Sequence, residues 1–289
     1  MVNNDFSEQQ NNIMRTAFLT AYPKIFTDID YSMEIFSLMK NLVTQKGFSF
    51  QPNQFTNAMA LEIEARHKAI NSELNQLIDK DTLVIEIAAG LSPRRLQYKD
   101  YSYVELDFKP VIEIKKSIYL SIYLSIYPDL ANECVNNYLY DVDLANTEQL
   151  HQRLATILQR NQHKKIIVVS EGLFWYLTKE VITNITHEFV KMFQGYDWCW
   201  ISADCPCDDI QDYDHRKIIS ESAKVKRGTF ADYADFKNFF ANCGLVCQRY
   251  LLSDLLKCED LFSAKLFSIN QQATMTRINS YTSIAVLKK

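Results

Sequence analysis

Glycine is scarce in this chain, with six among 289 residues, and proline is as rare. The shortage excludes two common cofactor loops. A pyrophosphate approached by backbone amides calls for GxGxxG at a strand exit, and a phosphate cradle calls for GxxxxGK[ST]; neither string occurs. No apolar run approaches the ~20 residues that span a bilayer. Basic excess is also missing: a net charge of -4 and a pI near 5.8 argue against a dedicated nucleic-acid binder. The opening stretch, MVNNDFSEQQNN, lacks the basic and apolar regions of a secretory signal, so a cytoplasmic protein is expected. Seven cysteines, an odd number, read as free thiols in a reducing compartment. Cys205 and Cys207 in DCPCDD have no second CxxC or HxxxH to complete a zinc site, and read as small buried or rim residues. The acidic run from Asp204 to Asp214 reads as a solvated loop rather than a hard-cation site. No metal is expected.

What is present is an ordinary globular composition, 47% hydrophobic and 23% charged, long enough to bury a sizeable core. Residues 1–80 read as helical throughout. MRTAFLTAYPKIFT, SMEIFSLMKNLVTQKG (with Gly47 as a stop) and NAMALEIEARHKAINSELNQLI all carry apolar residues at helical spacing. From residue 82 strands alternate with helices. TLVIEIAA, YSYVELDF, NNYLYDVDLAN, KKIIVVSEGLFWYL, WCWISADCP, LVCQRYLL and YTSIAVLKK read as strands. KPVIEIKKSIYLSIYLSIYP, EQLHQRLATILQRN, TKEVITNITHEFVKMFQ and YADFKNFFANCG read as helices. The alternation predicts an α/β fold, a mostly parallel sheet covered by helices on both faces. An N-terminal helical cap (1–80) would lie across one end of a sheet domain (81–289), with no linker between them.

In such a sheet ligands bind outside the carboxyl ends of the strands, near the point where strand order reverses. The turn after the first strand, EIAAGLSP, offers small residues, Ala88 and Gly90, rather than a phosphate nest. A ligand without phosphates would tolerate that, and S-adenosylmethionine is one. A strand exit with small residues has a plain packing reading as well. The second strand ends in Glu105 and Asp107, where an acidic side chain can accept hydrogen bonds from both ribose hydroxyls. Asp143 at the third exit could accept from the adenine amine, and Glu171 leaves the fourth strand beside the same pocket. Each carboxylate alone reads as a loop residue; four at successive exits point to a site.

Five segments taken together resemble the leucine carboxyl methyltransferase family, a bacterial small-molecule or polyketide-type branch of the class I O-methyltransferases. They are EARHKAIN, IEIAAGLSPRRL, YVELDFKPVIEIKK, DVDLAN and SEGLFWYL. The resemblance implies a Rossmann-like sheet with an antiparallel last strand and S-adenosylmethionine as cofactor. It implies Arg66 near the methionine carboxylate, Ala88 and Gly90 along the methionine end, and Asp107 on the ribose. Asp143 and Leu144 would frame the adenine, with Glu171 on the near side. Arg15, in IMRTAF, falls where the family has a basic residue near the reaction centre. Two positions depart from the protein-methylating pattern: Ala88 stands for a glycine and Ser92 for an aspartate.

An ionised carboxylate acceptor would need no general base, only positioning by Arg66 and Arg15 and by Tyr176 as a donor. A hydroxyl acceptor would need a base. Of the five histidines, His151, His163, His187 and His215 read as surface residues. His67 adjoins Arg66 but is turned about 100° from it on a helix, so the two would not share a pocket. Trp175 and Tyr176 read equally as core aromatics. The expected partner is a small-molecule or peptide carboxylate or hydroxyl, not nucleic acid or membrane. The rival readings are a non-catalytic cofactor-binding module acting through a protein partner, and a dinucleotide oxidoreductase, which the missing glycines disfavour.

Overall fold

The computed structural model describes residues 16–45, 57–126, 137–206, 229–280 and 282–289. Its centre is a seven-stranded sheet in the order β3-β2-β1-β4-β5-β7-β6. The strands are β1 (Thr82–Ile87), β2 (Ser102–Asp107), β3 (Leu139–Asp141), β4 (Lys165–Ser170), β5 (Asp197–Cys205), β6 (Val246–Leu251) and β7 (Ser283–Lys288). The first five run parallel, and β7 is antiparallel to both β5 and β6. Every residue of β1 is buried, as a central parallel strand with both faces covered requires. Strand order reverses at β1, which lies between β2 and β4, and this sets the position of the site.

The described helices are α1 (Ser32–Gln45), α2 (Asn57–Leu77), α3 (Arg94–Gln97), α4 (Lys109–Ile126), α5 (Thr147–Arg160), α6 (Lys179–Met192), α7 (Tyr233–Asn242), α8 (Leu252–Leu255), α9 (Phe262–Leu266) and α10 (Gln271–Asn279). Side-chain caps start four of them: Asn146 accepts from Gln149 N, Thr178 from Val181 N, Asp232 from Asp235 N and Asn270 from Ala273 N, each satisfying a donor the helix cannot. The period-two alternation of strand side chains sorts the core into layers. Leu83, Ile85 and Ile87 pack toward α5, α6 and α7, while Val84 packs toward α2 and the helices between β6 and β7.

Two differences from the sequence-based expectation follow. The helix α2, assigned above to a cap, lies on the sheet: Leu61, Ala65, Ile70 and Leu74 are buried against Val84, Ile167 and Ile201. Of the described N-terminal residues, it is 16–45 that pack elsewhere. Phe18, Ile35, Phe36 and Met39 cover Leu91, Leu96 and the apolar side of α4. The second difference is the insertion α8–α10, where short turns lack helical periodicity. It is fastened to α2 by the buried Glu64, whose carboxylate accepts from Phe262 N and Ser263 N at 2.8 Å each. Among the described residues no helix is long and apolar enough to cross a membrane.

Candidate active site

The exits of β1, β2, β3 and β4 meet around a cavity of about 270 Å³, roofed by residues from 16–24. At the β1 exit Ala88 (φ 50°) and Gly90 (φ 49°) are both left-handed, which turns the chain sharply out of the sheet. Glycine adopts that conformation freely, whereas the Cβ of alanine costs roughly 1–2 kcal/mol there. The turn is held by the next strand. Asp107 Oδ2 accepts from Gly90 N and Oδ1 from Phe108 N, each at 2.6 Å. One carboxylate thus ties the β1 loop to the β2 exit, and its remaining lone pairs are free for a ligand. Burial pushes the Asp107 carboxyl up to about 6, against the pull of those two amides.

Glu105 is not in the cavity lining. It shares a face with Asp107 but sits two residues deeper, about 6–7 Å along the strand, and is fully buried. Its carboxylate is taken by Lys115 Nζ at 2.8 Å and by the Tyr119 hydroxyl at 3.2 Å. Only the last acidic residue of the strand clears the edge. Beyond β3, Asp143 and Leu144 line the cavity. Asp143 Oδ1 accepts from Ala145 N at 2.9 Å, and its own amide is bonded by the Gln149 side chain.

Glu171, after β4, reaches two arginines. Its Oε2 accepts from Arg94 Nη2 at 2.8 Å, and its Oε1 lies 3.6 Å from Arg66 Nε. Burial would raise its pKa, but Arg94, Arg66 and Lys24 outweigh burial and hold it at about 2. Arg66 also donates to Glu62 at 3.1 Å, while its buried Nε has no hydrogen-bond acceptor. The helix carries Arg66 toward the cavity and its neighbour His67 toward a separate polar hollow with Asn71 and Tyr98. Arg94, wholly buried, lies between them. It donates to Glu86, to Asn71 Oδ1 at 2.8 Å and to His67 Nδ1 at 3.1 Å. Accepting from Arg94 puts the imidazole proton on Nε2, facing Gln97 Oε1 at 2.9 Å. Burial, then the arginine charge, holds His67 well below its usual pKa.

Trp175 and Tyr176 belong to a 3₁₀ turn, Phe174–Tyr176, and both line the cavity. The turn is clamped from two sides. Asp204 Oδ1 accepts from Phe174 N at 3.2 Å, and the Thr229 hydroxyl contacts the carbonyls of Phe174 and Leu177 at 2.6 and 2.7 Å. Tyr176 is hydrogen-bonded to Thr16 in the roof, and burial raises its pKa. Arg66, Ala88, Gly90 and Asp107 therefore share one cavity with Asp143, Leu144, Glu171 and Tyr176. Arg15 and Cys207 lie outside the described residues, as does the acidic run beyond Pro206. Sequence reasoning missed Lys24, which lines the roof, and Arg94, which orients the β4 exit. The arginine pair in LSPRRL directly after a strand exit was the available signal for the second.

The description of the leucine carboxyl methyltransferase family matches residues 29–190, more than half of the chain. This chain belongs to that family. Membership carries the reaction class, S-adenosylmethionine-dependent methylation. Comparison with curated proteins gave no match. Among solved structures, a DUF574 family protein from Streptomyces avermitilis MA-4680 is similar at 10% identity and a TM-score of 0.57, covering 95% of this chain and 97% of that one. A putative methyltransferase from Thermobifida fusca YX is similar at 10% identity and a TM-score of 0.51, covering 99% and 96%. At that identity they support the fold: the sheet is that of a methyltransferase of this class, as its order and single antiparallel strand imply.

Proposed function

We propose that this family member is an O-methyltransferase acting on a carboxylate of a small molecule or a peptide C-terminus, in preference to a hydroxyl. The observation that carries this reading is the make-up of the described cavity lining, which holds two cations, Lys24 and Arg66, and no histidine. An acceptor already ionised at neutral pH needs positive charge to hold it and no group to deprotonate it. A phenol or alcohol would need a base, and the carboxylates of the described lining are already engaged, Glu62, Glu86 and Glu171 by arginines and Asp107 and Asp143 by backbone amides.

The described residues fit the cofactor. Asp107 keeps lone pairs for the ribose hydroxyls, and Arg66 Nε, buried without an acceptor, suits a carboxylate such as that of the methionine end. Ala88 and Gly90 let the backbone run close to that end. Asp143 and Leu144 border the space assigned to the adenine. When bound, S-adenosylmethionine supplies an electrophilic methyl whose sulfonium leaves as a neutral thioether. Glu171 orients Arg66, and Tyr176 and the roof above it restrict water and hold the acceptor in line, the orientation effect that methyl transfer chiefly needs. The family resemblance adds Arg15, outside the described residues, as a further cation for the acceptor. A cytoplasmic setting accords with the free thiols of Cys199, Cys243, Cys247 and Cys258.

The test is incubation with methyl-labelled S-adenosylmethionine and a panel of carboxylates and phenols, followed by mild alkali. Label released as methanol marks an ester and supports the carboxylate reading. Alkali-stable label marks an ether and moves the acceptor to a hydroxyl. No transfer to either class would count against the proposal.

A further inference from the structure

Lys24 is the one charged side chain of the described cavity lining that lacks a partner. It stands on a 3₁₀ turn, Pro23–Phe26, that begins with proline, and Thr27 pins its carbonyl twice, through the backbone amide at 3.1 Å and the hydroxyl at 2.6 Å. The residue is 7% exposed, and its side chain faces the cavity. Among the described residues Lys24 Nζ has no hydrogen bond or ion pair. Its acidic neighbours are engaged elsewhere. Glu86 is taken by Arg94 and by Tyr103 at 2.8 Å, Glu171 by Arg94 at 2.8 Å, and Glu62 by Arg66 at 3.1 Å. The ammonium is reached from the cavity and not sealed in the protein, and with its acidic neighbours engaged it is placed to take an anion that enters there. Arg66 Nε, on the same cavity, is buried without an acceptor.

We propose that Lys24 is an anion anchor of this cavity and that its ligand is a carboxylate. The proposal rests on the methyltransferase reading, which offers two carboxylates: the amino-acid end of the cofactor and the acceptor itself. Lys24 acts as a cation and not as a proton acceptor. Burial lowers its pKa to about 8, with Glu171 and Glu86 opposing the fall and Arg94 and Lys115 adding to it, which leaves most of it charged at neutral pH.

Lys24→Met removes the charge at similar length, Lys24→Arg keeps it, and Lys24→Gln substitutes should the methionine variant not fold. Each is titrated by calorimetry with S-adenosylhomocysteine, with 5′-methylthioadenosine, which lacks the amino-acid end, and with butyrate on loaded and unloaded protein. At least a tenfold loss for S-adenosylhomocysteine, with 5′-methylthioadenosine unchanged and Lys24→Arg near wild type, assigns Lys24 to the cofactor carboxylate. Unchanged S-adenosylhomocysteine with butyrate binding lost assigns it to the acceptor. The proposal is overturned if both carboxylate probes ignore the loss of charge, or if 5′-methylthioadenosine weakens as much as S-adenosylhomocysteine does. Failure of the wild type to bind S-adenosylhomocysteine would instead sink the cofactor reading, and butyrate on unloaded protein would still decide the role of Lys24.

Discussion

The floor and the roof of the cavity are built on different principles. In the floor, each charged group at a strand exit is already satisfied by the protein: Asp107 by two backbone amides, Glu171 by two arginines, and Glu86 by Arg94 and Tyr103. Those bonds shape the site before any ligand arrives. The roof, residues 16–24, is seated by apolar packing of Phe18 and Ala21 on the β1 loop and α4, and its one charge, Lys24, has no protein partner. The floor therefore couples binding to folding stability, whereas the roof couples it to the ligand.

That contrast can be broken, and the largest effect belongs to Arg94. Arg94→Leu leaves Glu86 buried without its cation and Glu171 with Arg66 alone, and breaking a buried pair from one side costs about 3–5 kcal/mol; chemical denaturation should show it, while Lys24→Met should leave the denaturation midpoint unchanged or raised. Comparable losses from both substitutions would erase the distinction. Next in size is pH. Asp107 must be ionised to accept from a ribose, and its raised folded pKa of about 6 means that S-adenosylhomocysteine affinity should fall as pH drops through 6, by up to about tenfold per pH unit. Stability runs in the opposite sense, since a raised pKa contributes stability that is full below about 4 and lost as pH rises to 6. Calorimetry and melting scans between pH 5 and 7.5 separate the two. Thr16→Val removes the hydroxyl bonded to Tyr176 and should cost about 0.5–1.5 kcal/mol, appearing as a faster cofactor off-rate more than as a lower melting temperature. The smallest effect is Ala88→Gly. Relief of about 1–2 kcal/mol of left-handed strain is offset by about 0.5–1 kcal/mol of added chain entropy, so a gain between about 0 and 1.5 kcal/mol is expected, and a loss would mean that the methyl group packs usefully.

The same division decides what was legible in the sequence. The floor lies at strand exits, and period-two patterning locates an exit to within a residue or two, so Asp107, Asp143 and Glu171 could be read before any coordinates. The patterning could not say how far each side chain stands from the edge, which is why Glu105 looked as eligible as Asp107. Nor could it show that the two arginines of LSPRRL diverge, Arg94 entering the ion-pair cluster and Arg95 packing over the Tyr138 ring at 4.1 Å. The roof carries no strand period, and Lys24 in AYPKIFT looks like any surface lysine. Only tertiary packing buries it. The placement of α2 on the sheet was hidden for a similar reason, because amphipathic spacing shows that a helix has an apolar face but not which layer receives it. The short helices α8–α10 span too few turns to announce themselves.

The central claim is that the floor, through Asp107, holds S-adenosylmethionine. Titrating wild type and Asp107→Ala with S-adenosylhomocysteine by calorimetry tests it most directly. Micromolar binding that the substitution weakens at least tenfold, ~1.4 kcal/mol, is the predicted result. Binding that is absent in the wild type, or that survives the loss of this carboxylate unchanged, would contradict it.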